Sequence, residues 1–168
     1  MNNLIAVTIG DLKGIGIHIL IKEWKNCKIK NFIIITNHSI FKKNKLINKN
    51  NINIINDDQI INYNKNKLNI LNIKTKNQYT NIYDSLRVAY DLTKRNIFIG
   101  IVTLPINKID IKNFVNKRFI DQTTFYSNLE KIQDSNMIFI YKNKYFIPIT
   151  THIALKEVPN YFKNQKKV

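Results

Sequence analysis

Three short segments of this 168-residue chain carry residue types able to do chemistry, and each follows a strand-like run. The first is Gly10-Asp11-Leu12-Lys13-Gly14-Ile15-Gly16. A glycine loop entering a helix presents free backbone N–H groups, and a glycine such as Gly14 lets an anion approach closely. The spacing is neither the dinucleotide fingerprint nor a P-loop, because no Gly-Lys-Ser/Thr ending follows. Two readings stay open: an anion cradle, or a tight strand-to-helix turn. Asp11 either caps that turn or contacts a ligand. The second segment is Thr103-Leu104-Pro105-Ile106-Asn107-Lys108. Pro105 fixes the chain as it leaves a strand, Asn107 suits a helix cap, and Lys108 could point at a phosphate. The third is Thr150-Thr151-His152-Ile153-Ala154-Leu155-Lys156-Glu157-Val158-Pro159. A histidine at a strand end is a metal ligand, a general base or a surface residue. One imidazole cannot hold a metal alone, and His18 and His38 show no ligand-type spacing to His152.

Alternating elements must position these segments. Residues 5–9 read as a buried strand and 17–24 as a helix. A second strand spans 32–36, followed by a short helix over 40–46. The stretch 42–81 is mostly Asn, Lys and Ile, with short strands at 52–55 and 68–73 and a polar loop around 62–67. Leu86, Ala89 and Tyr90 share one face of a helix over 83–95. Residues 97–102 form a buried strand, and short helices follow over 107–114 and 123–129. Strands at 137–141 and 145–149 flank the hairpin turn Lys142-Asn143-Lys144. No repeat or interdomain linker interrupts the chain, so residues 1–168 read as a single α/β unit. The expected fold is a mostly parallel sheet flanked by helices. Ligands gather at the carboxyl ends of such strands, which singles out the segments after residues 9, 102 and 149.

A net charge of +16 invites a nucleic-acid reading. Composition argues against it. Ile (33), Asn (27) and Lys (24) make up 84 of the 168 residues, against 3 Arg. All three have codons rich in A and T, so genomic drift raises them together, whereas a nucleic-acid surface favours the arginine fork. We therefore set nucleic acid aside as a partner. No apolar run approaches the ~20 residues of a membrane span, and the first residues lack the pattern of a secretion signal. The single cysteine, Cys27, excludes an internal disulfide framework and fits a reducing cytoplasm. It reads as a packed or surface thiol.

Taken in order, the segments resemble the 4-hydroxythreonine-4-phosphate dehydrogenase (PdxA) family. Residues 7–16 are similar to its opening T-x-G-D-P-A-G-I-G, and 103–108 to its T-A-P-I-N-K. Residues 119–129 stand where the family has F-x-G-H-T-E-F-L, and 149–159 resemble V-T-T-H-I-P-L-K-D-V-P. The resemblance implies half of an isopropylmalate/isocitrate dehydrogenase-like fold and a homodimer. It implies oxidation of a small phosphorylated amino acid, 4-phosphohydroxy-threonine, by hydride transfer to NAD or NADP, within pyridoxal phosphate synthesis. A divalent metal (Zn, Mg or Co) holds the substrate, and the keto acid then loses carbon dioxide. His152 falls on the first of the family's metal-binding histidines, and Thr123 on a substrate-binding threonine. Gln122 replaces a substrate-contacting histidine; it donates hydrogen bonds but carries no charge. Leu12 replaces a proline, and His18 stands where a glutamate is usual. The family is about twice as long, and its other metal ligands and most cofactor contacts fall in the half not represented here. The ligand set is therefore expected to be incomplete, with weak or no activity unless a separate C-terminal-half chain completes it. The alternatives are a degenerate, non-catalytic remnant or a basic binding module.

Overall fold

The computed structural model describes residues 3–26, 29–43, 47–56, 62–132, 135–150 and 153–165. Cys27 and His152 lie outside them. The chain divides into two compact units, Met1–Tyr126 and Ser127–Val168.

The first unit is built on a five-stranded, wholly parallel sheet. Its strands are β1 (Ile5–Thr8), β2 (Phe32–Thr36), β3 (Ile52–Ile55), β4 (Leu68–Asn72) and β5 (Gly100–Thr103), in the spatial order β3-β4-β2-β1-β5. β-branched residues favour the pleated backbone, and continuous apolar runs are the signature of a sheet covered on both faces. All five residues of β2 are buried. On one face Leu4, Ala6, Ile33, Ile35, Ile55 and Leu71 pack with Ala89 and Leu92 of helix α3 (Gln78–Lys94). The alternate side chains Val7, Ile34 and Ile70 are buried as well, as are Ile17, Leu20 and Ile21 of α1 (Ile15–Lys25) and Phe41 of α2 (His38–Lys42). β5 is an edge strand, and Val102 and Ile99 remain 47% and 64% exposed beside it.

Local chemistry sets the boundaries. α3 begins five residues earlier than periodicity suggests because Asn77 caps it. The Asn77 side chain accepts hydrogen bonds from the backbone N–H of Tyr79 and Thr80, while the Thr80 hydroxyl accepts one from the Asn77 N–H. The helix ends at Asn96, whose φ of 60° turns the chain, and the Ile97 N–H reaches back to the Leu92 carbonyl. That closure occupies residues 97–99, so the last strand starts at Gly100 rather than 97. α2 likewise begins at His38, two residues before the expected position, because the Asn37 side chain accepts from the Ile40 N–H.

Buried amides knit the polar half of this unit. Asn69, 2% exposed, accepts from the Asn64 N–H and from Asn53 Nδ2, both at 2.8 Å, and donates to the Asn64 and Lys67 carbonyls. Asn81, fully buried, accepts from the Asn37 N–H at 2.7 Å and donates to Thr36 Oγ1 at 3.0 Å. A satisfied buried polar group holds a unique arrangement, whereas losing one partner costs about 1–3 kcal/mol.

The second unit contains the end of α5 (Gln122–Glu130), the antiparallel hairpin β6 (Phe139–Tyr141)–β7 (Lys144–Phe146) and α6 (Val158–Gln165). Every residue of both hairpin strands is exposed. No helix among the described residues is long and apolar enough to cross a membrane.

Candidate functional site

The chain runs from β1 to β2, crosses to β3 at the far edge, inserts β4 between β3 and β2, then returns to place β5 on the other side of β1. The topological switch point therefore lies between β1 and β5, and the crevice above their carboxyl ends is where such sheets receive ligands. Thr8 and Thr103 stand in register there. Thr8 is fully buried, and its hydroxyl has no hydrogen-bond partner among the described residues.

The two loops above this crevice touch. A Cβ on Gly10 would collide with the Pro105 carbonyl oxygen and lie 2.8 Å from Leu104 Cβ. One on Gly16 would lie 2.7 Å from Pro105 Cδ. Glycine at these two positions lets the β1–α1 loop lie directly on the chain leaving β5. The Asp11 N–H then donates to the Pro105 carbonyl at 2.9 Å. Within the loop, the Lys13 N–H donates to Asp11 Oδ1 at 2.9 Å and the Gly14 N–H to the Asp11 carbonyl at 3.0 Å. Two of the loop's amide donors are thus satisfied within it and a third by the chain leaving β5, and the Asp11 carboxylate holds the turn.

Beyond Pro105, helix α4 (Lys108–Phe114) starts from Asn107, whose side chain accepts from the Ile109 N–H at 3.1 Å. Lys108 Nζ lies 3.9 Å from Asp121 Oδ2. Asp121 also caps α5, accepting from the Thr124 N–H at 2.7 Å. Next to it, Gln122 Nε2 donates to the Leu104 carbonyl at 3.1 Å. The start of α5, including Thr123, is thereby tied at two points to the segment that leaves β5. A cleft of about 250 Å³ opens beside these loops, lined by Asp11, Leu12, Lys13, Gln78, Tyr79, Ile82, Asn107 and Asp110.

The sequence-predicted residues Asp11, Gly14, Asn107, Lys108, Gln122 and Thr123 all fall in the loops and helix starts around this crevice. His152 lies outside the described residues, so its surroundings are not described. Among the described residues no group of three His, Cys, Asp or Glu side chains could hold a metal ion. Residues not singled out in the sequence also take part: Asp121 by its cap and ion pair, Asp110 and Lys13 as charged walls, Gln78 and Tyr79 at the start of α3. The Asp-Gln-Thr-Thr run has the composition of a helix start, and Asn77-x-x-Thr80 that of a reciprocal cap. Those signals could have found Asp121 and Gln78.

This frame, a doubly covered parallel sheet with its loops converging at the switch point, belongs to the class of open α/β folds that receive ligands at strand ends. In overall structure the chain is similar to crystal structures of 4-hydroxythreonine-4-phosphate dehydrogenases. With the enzyme from Klebsiella pneumoniae the TM-score is 0.80 at 20% identity, covering 94% of this chain and 54% of that one. With that from Burkholderia phymatum it is 0.75 at 18% identity, covering 95% and 53%. In sequence it is 28% identical to the 4-hydroxythreonine-4-phosphate dehydrogenase of Aquifex aeolicus, over 99% of this chain and 55% of the relative. Residues 28–167 match the sequence profile of the family described as "Pyridoxal phosphate biosynthetic protein PdxA", and the chain belongs to that family. It spans about half the length of the relatives it matches.

Proposed function

We propose that this chain forms part of a 4-hydroxythreonine-4-phosphate dehydrogenase site, working in the cytoplasm on 4-phosphohydroxy-threonine. The observation that carries the reading is the two-point tie between the β5–α4 segment and the start of α5: Gln122 to the Leu104 carbonyl at 3.1 Å, and Lys108 to Asp121 at 3.9 Å. This tie holds Thr123 beside the crevice, together with a lysine ammonium suited to a phosphate. In this reading Thr123 and Gln122 contact the substrate by neutral hydrogen bonds, Lys108 supplies positive charge, and Asn107 and the Asp11–Gly14 turn shape the floor. His152 offers one imidazole toward a divalent metal (Zn, Mg or Co), with the remaining ligands coming from outside these 168 residues. A bound NAD or NADP would supply a hydride acceptor for oxidation of the substrate's hydroxyl, and a divalent metal would supply Lewis-acid charge for the decarboxylation of the keto acid.

Hydride transfer requires cofactor, substrate and metal at near-attack distance, so the catalytic unit includes further polypeptide: a longer chain, a separate C-terminal-half chain or a second copy. The test is NAD(P) reduction with 4-phosphohydroxy-threonine and a divalent metal. It is run on the 168 residues alone and then with a polypeptide matching the remaining half of the relatives. The expected result is turnover only in the mixture. Turnover of ~1 per second or more by the 168 residues alone overturns the incomplete-site reading. Failure of the mixture both to bind and to oxidise the substrate overturns the activity.

A further inference from the structure

In the second unit, the β6–β7 hairpin is bare on both faces. Its strands pair as Phe139 with Phe146, Ile140 with Tyr145 and Tyr141 with Lys144, across the two-residue turn Lys142-Asn143. Residues paired across antiparallel strands share a face, and successive residues alternate between faces. One face therefore carries Phe139, Phe146 and Tyr141, and the other Ile140 and Tyr145. An antiparallel sheet with one side in water alternates apolar and polar residues, whereas strands apolar on both sides are covered on both. Here the polar residues gather at the turn, and the body of the hairpin is apolar all round. It has the pattern of a sheet interior.

The uncovered area is large enough for a stable interface. Between residues 137 and 149, nine large apolar side chains are 42–77% exposed. At roughly 100 Å² still uncovered on each, about half of what an aromatic side chain buries, they offer ~900 Å² in all. A standard interface takes about 800 Å² from each partner. A two-stranded hairpin is also marginal by itself in water, so cover of this kind holds its shape.

We propose that the hairpin is the docking surface for polypeptide corresponding to the remaining half of the relatives, which covers both of its faces and completes a second sheet around it. This rests on the dehydrogenase reading above and names where its missing part binds. Two observations select that partner over a second copy of this chain. The chain spans 55% of the Aquifex aeolicus relative and 54% and 53% of the two crystal structures, so those proteins hold nearly as much polypeptide again. A two-fold copy, moreover, sets the same patch against itself, which buries one face of each hairpin and leaves the other in water. Covering both faces takes a partner with elements for each side. His152 follows β7 by six residues in the sequence. The partner therefore joins the chain close in sequence to the proposed metal ligand, where further ligands are needed.

The 168-residue protein is co-expressed with the part of the Aquifex aeolicus relative that lies beyond the matched region. Association is read by sedimentation and by the fluorescence of a hydrophobic dye, without substrate, cofactor or metal. The expected result is a one-to-one complex in which dye binding is lost. Ile140→Lys/Tyr145→Lys charges one face of the hairpin and Phe139→Lys/Phe146→Lys the other. Each pair is expected to weaken association at least tenfold while leaving the melting temperature of the 168-residue chain unchanged. Ile19→Lys, at an exposed site on α1, leaves association unchanged. Three results overturn the proposal. One is no complex. A second is a complex indifferent to either pair of lysines. The third is a discrete dimer of the 168 residues that excludes the dye with no partner present, which marks a second copy as the occupant. Because association is read apart from turnover, a complex that forms through the hairpin but oxidises nothing keeps this inference and sinks the dehydrogenase reading. An active mixture indifferent to the hairpin variants does the reverse.

Discussion

Placing a methyl group on Gly10 tests the central claim about the crevice, that its two loops are held in direct contact. In Gly10→Ala the new Cβ lies 2.8 Å from Leu104 Cβ and closer still to the Pro105 carbonyl oxygen. Ordinary carbon contacts are about 3.5–4.0 Å, so the loops must separate by roughly 1 Å. Overpacking of this kind costs about 1–3 kcal/mol. Separation also stretches the 2.9 Å bond from the Asp11 N–H to the Pro105 carbonyl, worth ~1 kcal/mol. Lower entropy of the unfolded chain returns about 0.4–1 kcal/mol. The expected net loss is about 1–3.5 kcal/mol, which for a chain of this size is a fall of ~2–14 °C in Tm. Gly14→Ala is the control. Its Cβ meets the Asp11 carbonyl oxygen at 3.2 Å, and its φ of −86° and ψ of 172° suit alanine. We expect it to change stability by less than ~1 kcal/mol. Thermal melts by circular dichroism with urea titrations measure both. Equal Tm values for the two variants would refute the argument that Gly10 is present for close approach.

Two further outcomes follow from the description. Burial, and secondarily the Lys42 ammonium, lower the pKa of His38 from its ordinary 6.5. The folded state therefore binds that proton less readily than the unfolded chain. Its neutral form loses no stability above pH 6.5, and stability declines as pH falls from there through the lowered value. Stability curves of wild type and His38→Gln should diverge only in that acid window; parallel curves would remove His38 as the cause. The hairpin predicts a different behaviour. Phe139, Ile140 and Tyr145 are 56%, 66% and 69% exposed, more apolar surface than an isolated hairpin normally leaves in water. The purified chain should bind a hydrophobic dye or self-associate, and Ile140→Ser/Tyr145→Ser should reduce either; a monodisperse monomer without dye fluorescence counts against this.

Residues whose fate is set by neighbours in sequence were legible, and those set by neighbours in space were not. The strands at 32–36 and 52–55 follow directly from β-branched runs bounded by polar residues, and the parallel sheet follows from strands alternating with helices. The cap at Asn107 was readable from residue type alone. The start of α3 was not, because Tyr79 and Ile82 lack an obvious stripe and the decisive signal is the Asn77–Thr80 exchange. For the glycine loop, spacing left two physical readings open, and only the position of Pro105 shows which close approach Gly10 and Gly16 serve. Gln122 reads in sequence as a ligand-facing amide, while its hydrogen bond to Leu104 joins residues 18 positions apart. Polar drift along 42–81 concealed the Asn69 and Asn81 networks, since abundant asparagine gives no hint of which copies are buried.

The outer margin of β5 bears on how this sheet meets other polypeptide. Four residues at ~3.3 Å each offer about 13 Å of peptide that no strand pairs with among the described residues. A guest strand laid there gains only a few ladder bonds. Gly100, with open space around it, adds no side-chain grip of its own. Any discrimination between guest strands at that margin would have to come from its flanking apolar groups, Ile99 and Val102, which stay exposed.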